Sequence, residues 1–147
     1  MEKDIKRSIF FPYPPQDVWD YLTKPELIEQ WITKNDFLPI VGRKFQFRSD
    51  IESCGNEGIT YCEVLEIIPL KKLSYSWKHS KGNIDRTIDS VVVWTLVEKN
   101  DGTELLLEHS GFKLPEDYVS HNNGWTECIQ KISELLDAAK KNIKVKR

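Results

Sequence analysis

The sequence predicts an α+β fold in which a curved antiparallel sheet of about six strands surrounds one long C-terminal helix, with two short helices after the first strand. Three patterns carry this. Apolar residues alternate with a period of two from Phe45 to His109, the mark of half-buried strands. From Tyr118 to Ile143 the period becomes helical and the stripe is long. Between the first apolar strand and the alternating region lie two proline-led segments with helical spacing. A sheet with one apolar face has to bury it, and the terminal helix is the only element long enough to cover it.

Residues 5–11, "IKRSIFF", form the first strand, with Ile5, Ile9 and Phe11 on one face. "PYPP" ends it, because proline supplies no ladder donor and suits a helix start. "PQDVWDYL" then spaces Val18, Trp19 and Leu22 as a helix does, and "PELIEQWI" repeats the device with Leu27, Ile28 and Trp31. "KFQF" sets Phe45 and Phe47 on one strand face; "GITYCEVLEII" and "KLSYSW" follow, the latter aligning Leu73, Tyr75 and Trp77. "SCGNEG", Pro69 and "SKGNID" are the turns between these strands.

Asp-Gly between two apolar runs makes "VVVWTLVEKNDGTELLLEHS" a hairpin. Antiparallel pairing through a loop of two or four residues puts Val92, Trp94 and Leu96 on the face of Leu105, Leu107 and His109. Glu104 and Glu108 then share the outer face with Val91, Val93, Thr95 and Val97. His109 therefore projects inward. In the last helix, Pro115, Glu116 and Asp117 suit the first turn, and Tyr118, His121, Trp125, Ile129, Ile132, Leu136, Ala139 and Ile143 form the apolar stripe.

At 147 residues the chain has the length of one domain, so residues 1–147 are expected to form a single core. Lys+Arg 21 against Asp+Glu 23 leaves a net charge of −2, which gives no electrostatic reason to expect nucleic acid or an anionic partner. No apolar run approaches the ~18 residues of a membrane span, so membrane insertion is not expected. Cys54, Cys62 and Cys128 are odd in number and lack metal-ligand or framework spacing, which fits reduced thiols in the cytoplasm and neither a cofactor nor a metal.

Aromatic side chains make 11% of the chain, and the inward set Trp31, Phe45, Phe47, Tyr75, Trp77, Trp94 and Trp125 suits either a solid core or a lined cavity. Tyr75 and the indole nitrogens of Trp77 and Trp94 add polar handles that would orient a ligand. His109 is either a core histidine satisfied by a neighbour or a polar anchor in that cavity, and His121, one turn before Trp125, is either a half-exposed packing residue or a group at the cavity mouth. Phe37 lies in residues 32–42, a loop expected to cover an opening. Glu108, His109 and Ser110 alternate across a strand, so they make no triad. Glu66 shares the parity of Val64, a bulge before Pro69 would reverse its face, and solvent exposure is expected.

The segments "PPQDVWDYLTKPELIEQWI", "GRKFQF", "VLEIIPLKKLSYSW", "DGTELLLEHSGF" and "HNNGWTECIQKISELL" together span about residues 5–140. In combination they resemble the START-like, or SRPBCC, superfamily, in the branch of homologues of the activator of the heat-shock-protein-90 ATPase. The resemblance implies a helix-grip fold with an apolar cavity between sheet and C-terminal helix. It also bears on "HNNGW": Gly124 would let the helix approach its neighbours closely, and Trp125 would fill or roof the space left. Non-catalytic binding of a small hydrophobic molecule, a lipid or aromatic metabolite, is then the leading expectation, with Trp31, Phe37, Phe45, Phe47, Tyr75, Trp77, Trp94, His109, His121, Trp125 and Ile129 as contacts. The resemblance adds two alternatives: contact with a chaperone or other protein, and a polyketide cyclase-like enzyme. An exposed sheet edge also offers a route to a homodimer.

Overall fold

The computed structural model describes residues 3–49, 58–79, 88–112 and 115–145. In chain order the elements are β1 (Lys3–Phe11), α1 (Pro15–Thr23), α2 (Pro25–Trp31), β2 (Lys34–Asn35), β3 (Lys44–Ser49), β4 (Gly58–Ile68), β5 (Lys72–His79), β6 (Ile88–Lys99), β7 (Gly102–Phe112) and α3 (Pro115–Val145). The expected turns at 53–57 and 80–85, with Cys54, lie outside the described residues, as do the side chains of His79 and Ile143.

The strands make one seven-stranded antiparallel sheet in the order β1-β7-β6-β5-β4-β3-β2. It curves around α3, which gives the helix-grip fold. The strand beyond the expected six is β2, two residues inside the segment read as a loop. It closes an edge: Lys34 and Asn35 pair with Arg48 and Phe47, the Gln46 N–H donates to Asp36 Oδ1 at 2.8 Å, and Thr33 Oγ1 donates to Arg48 O at 2.6 Å. Backbone groups that would otherwise stand open on β3 are thereby satisfied.

Prolines start both short helices, at positions where the missing N–H has no intrahelical partner. Val18, Trp19 and Leu22 of α1 and Ile28 and Trp31 of α2 are buried. The Trp31 indole N–H donates to Tyr21 O at 2.7 Å, tying the second helix to the first.

The β6–β7 hairpin has the predicted register, with Val92, Trp94 and Leu96 opposite His109, Leu107 and Leu105, all buried. Its loop residues are Asn100 and Asp101, both at positive φ (50° and 60°), and Gly102 begins β7. Gly102 serves a different need. A Cβ there would sit 2.4 Å from Phe11 O, so glycine lets β1 lie against the hairpin.

A register shift between Val64 and Glu66 marks the bulge foreseen before Pro69. It turns Glu66 outward, where its carboxylate meets Lys72 Nζ at 2.9 Å.

The core lies between the concave sheet face and one side of α3, where Trp125, Ile129, Ile132 and Leu136 are buried. Arg7 of β1 also points to this side, and its Nη2 donates to Asn122 Oδ1 (2.8 Å) and Thr126 Oγ1 (2.7 Å), fixing the helix to the edge strand. The helix runs unbroken through Asn122-Asn123-Gly124. The expectation for Gly124 is corrected here: a Cβ on it would meet nothing within 4 Å, so no neighbour approaches closely enough to require glycine.

Candidate ligand-binding site

Strand alternation delivers rings to the concave face from three strands of the sheet: Phe45 and Phe47 from β3, Tyr75 and Trp77 from β5, and Trp94 from β6, with β4 between β3 and β5. The helices add Trp31, His121 and Trp125, β7 adds His109, and the segment after β2 adds Phe37. The rings form a continuous network. Phe37–Phe45 (5.0 Å), Phe45–Tyr75 (5.3 Å), Phe47–Trp77 (5.4 Å), Trp77–Trp125 (5.3 Å) and Trp94–Trp125 (5.5 Å) are centroid separations of direct aromatic contact. Ile129 is buried one turn beyond Trp125, so the eleven residues singled out from the sequence gather on one face. All are buried except His121, which is half-buried at the rim.

The polar atoms of this network mostly serve one another. Trp125 Nε1–H donates to His109 Nδ1 at 2.8 Å, which leaves the His109 proton on Nε2, 2.7 Å from Ser90 Oγ. Ser90 Oγ in turn donates to Trp77 O at 3.0 Å. At the rim, the His121 Nδ1–H faces Asp117 O at 3.0 Å, so its Nε2 accepts from Trp77 Nε1–H at 3.3 Å. Trp94 Nε1–H donates to Tyr75 Oη at 2.9 Å. The indole nitrogens of Trp77 and Trp94, expected to orient a ligand, are thus committed to protein acceptors.

Burial sets the acid–base character of the site. Desolvation, with a smaller contribution from His121, lowers the His109 pKa to about 3, so the imidazole is neutral near pH 7. Desolvation likewise pushes the Tyr75 hydroxyl far up and keeps the Cys62 thiol protonated. With both ring nitrogens of His109 occupied, it has neither a free lone pair nor an uncommitted proton for acid–base chemistry. Glu108 lies on the outer face beside Lys6, at 3.7 Å. Among the described residues no group of three or more His, Cys, Asp or Glu side chains is arranged to hold a metal ion.

The sequence reading passed over Arg7 and Ser90. Strand parity was the available signal: Arg7 falls between Ile5 and Ile9 on the inward face of β1, and Ser90 shares the face of Val92 and Trp94. Phe112 was also passed over; it is buried 4.5 Å from the His109 ring. A depression of about 340 Å³ lies on the other side of the sheet, lined by outward residues such as Lys44, Gln46, Tyr61 and Lys78, which mix charged and polar groups with an aromatic ring.

Residues 12–137 match the family model described as activator of Hsp90 ATPase homolog 1-like protein, and the chain belongs to that family. A crystal structure of a protein from Mesorhizobium loti is 36% identical, with a TM-score of 0.84 over 92% of this chain and 98% of the other. Two more distant structures share the fold. CalU16 from Micromonospora echinospora is 24% identical, with a TM-score of 0.73 over 99% of this chain and 83% of its own. The Aha1 dimer from Colwellia psychrerythraea, solved in solution, is 19% identical, with a TM-score of 0.73 over 90% of this chain and 94% of its own. No curated protein matches. No helix among the described residues is long and apolar enough to cross a membrane.

Proposed function

We propose that this chain, acting as a single cytoplasmic domain of residues 1–147, binds a small hydrophobic molecule between the concave sheet face and α3 without converting it. The observation that carries the reading is the ring-lined inner face, whose polar atoms are largely engaged with one another. Such a surface presents an apolar ligand with π-faces and few competing hydrogen-bond demands. The ligand would contact the eleven residues named above and enter beside the half-buried His121 and the open space at Gly124. The committed nitrogens of His109 favour binding over catalysis.

Native mass spectrometry of protein isolated from its own cells tests this. A retained lipid or aromatic adduct is expected, and it should be lost in Trp125→Ala. Gly124→Leu, which fills open space and improves helix propensity, should weaken retention without loss of stability. A protein that retains no adduct and takes up no apolar probe would end the reading.

A second reading, contact with a chaperone or other protein, is favoured by a separate feature. Leu38, Ile40 and Val41 are 40%, 58% and 60% exposed. Their loop runs beside the end of β4, where Gly42 N–H donates to Val64 O at 2.8 Å and Leu65, Ile68 and Leu70 are also exposed. Capture of a chaperone that survives Trp125→Ala and is abolished by Ile40→Asp with Val41→Asp would support it.

A further inference from the structure

One donor inside the ring network has no acceptor among the described residues. A tyrosine hydroxyl carries one proton and can accept as well as donate. Tyr75 Oη accepts from Trp94 Nε1–H at 2.9 Å, and no acceptor among the described residues receives the Tyr75 proton. The residue is buried, so water does not freely compensate, and a buried donor left unmade costs about 1–3 kcal/mol. The neighbouring indole N–H groups of Trp31, Trp77 and Trp125 all have acceptors. Burial raises the hydroxyl pKa, which keeps it a donor at any physiological pH.

The surroundings restrict what can meet this proton. Phe37, Phe45, Phe47 and Trp77 have ring centroids within 6.5 Å of the Tyr75 ring. Among the described residues no cationic side chain acts on the hydroxyl; besides Trp94 the groups that do are the Cys62 and Cys128 thiols. Arg7, the inward cation on β1, spends Nη2 on Asn122 and Thr126 at the helix seam. A carboxylate at Tyr75 would therefore be buried without a counter-charge, which is strongly unfavourable. A neutral oxygen would not.

We propose that the ligand of this site is a flat apolar molecule bearing a neutral acceptor oxygen, an aromatic ketone or quinone, and that Tyr75 donates to that oxygen. This rests on the ligand-binding reading above and names the class within it. A site with a buried donor discriminates against the analogue that lacks the acceptor more sharply than against a change of size.

The matched probes 9-fluorenone and fluorene, which differ by the carbonyl, separate the possibilities by calorimetric titration. Wild-type protein should bind fluorenone roughly tenfold or more tighter than fluorene. Tyr75→Phe should erase that preference while fluorene affinity holds, because Trp94 loses its acceptor equally for both probes. The carbonyl stretch of bound fluorenone should move to lower frequency in wild type and return toward its apolar-solvent value in the variant. Equal affinities in wild type, or a preference and shift that survive Tyr75→Phe, would overturn the assignment of class while leaving ligand binding intact. Failure of both probes to bind would overturn ligand binding itself. If Tyr75→Phe does not fold, the wild-type preference and infrared shift still decide.

Discussion

At the scale of single residues, two glycines make opposite predictions from their surroundings. Gly102→Ala would drive a Cβ to within 2.4 Å of a backbone oxygen that cannot swing aside, so a loss of about 1–3 kcal/mol is expected. Gly124→Ala meets open space inside a helix, where alanine is better by up to about 1 kcal/mol, and should stabilise the protein. Urea denaturation measures both. His109 makes a third prediction. Its pKa of about 3 lies below the ordinary 6.5 that the unfolded chain would show, so the unfolded state binds the extra proton. The stability this contributes is fully present above pH 6.5 and is lost as pH falls toward 3. The rings of Trp77, Phe112, His121 and Trp125 and the Ser90 hydroxyl surround His109, and His121 is its titratable neighbour. His109→Gln keeps an acceptor for Trp125 and a donor for Ser90 but does not titrate. The stability gap between wild type and this variant should therefore narrow by about 2 kcal/mol between pH 7 and pH 4.5.

At the scale of elements, α3 is held to the sheet by an apolar stripe and by one arginine. Arg7→Met keeps much of the packing volume and removes both bonds from Nη2 to the helix. Because Arg7 is only half-buried, a modest loss of about 1–2 kcal/mol is expected. Hydrogen exchange should accelerate around Asn122 and Thr126 more than around Ile132 and Leu136, which apolar burial secures independently. Uniform acceleration along α3 would contradict that division. The strand pattern shows where sequence reading was sound: parity alone put Trp94, Leu107 and His109 on one face, because side chains on a paired strand can only alternate. It also shows where reading was partial. β2 has two residues and no period of its own, and it exists because β3 has an edge to satisfy.

At the scale of the molecule, β1 pairs with β7, so the first and last strands of the chain are neighbours in the sheet. Closing that pair requires a large loop before its contacts form, and stopped-flow tryptophan fluorescence should show refolding in the millisecond-to-second range. Microsecond refolding would mean that local contacts dominate. The sequence by itself determined the α+β class, the hairpin register, the helical stripe and the set of rings that turn inward, since each follows from a local period that burial enforces. It did not determine which polar atoms those rings carry toward one another. Whether an indole N–H meets a histidine, a carbonyl or a tyrosine depends on distances between β5, β6, β7 and α3, which no local period contains. The same is true of Gly124, whose helix penalty suggested a close neighbour while the packed helix leaves open space. Tertiary structure decided these points because hydrogen-bond satisfaction and steric room are properties of pairs of atoms brought together from distant parts of the chain.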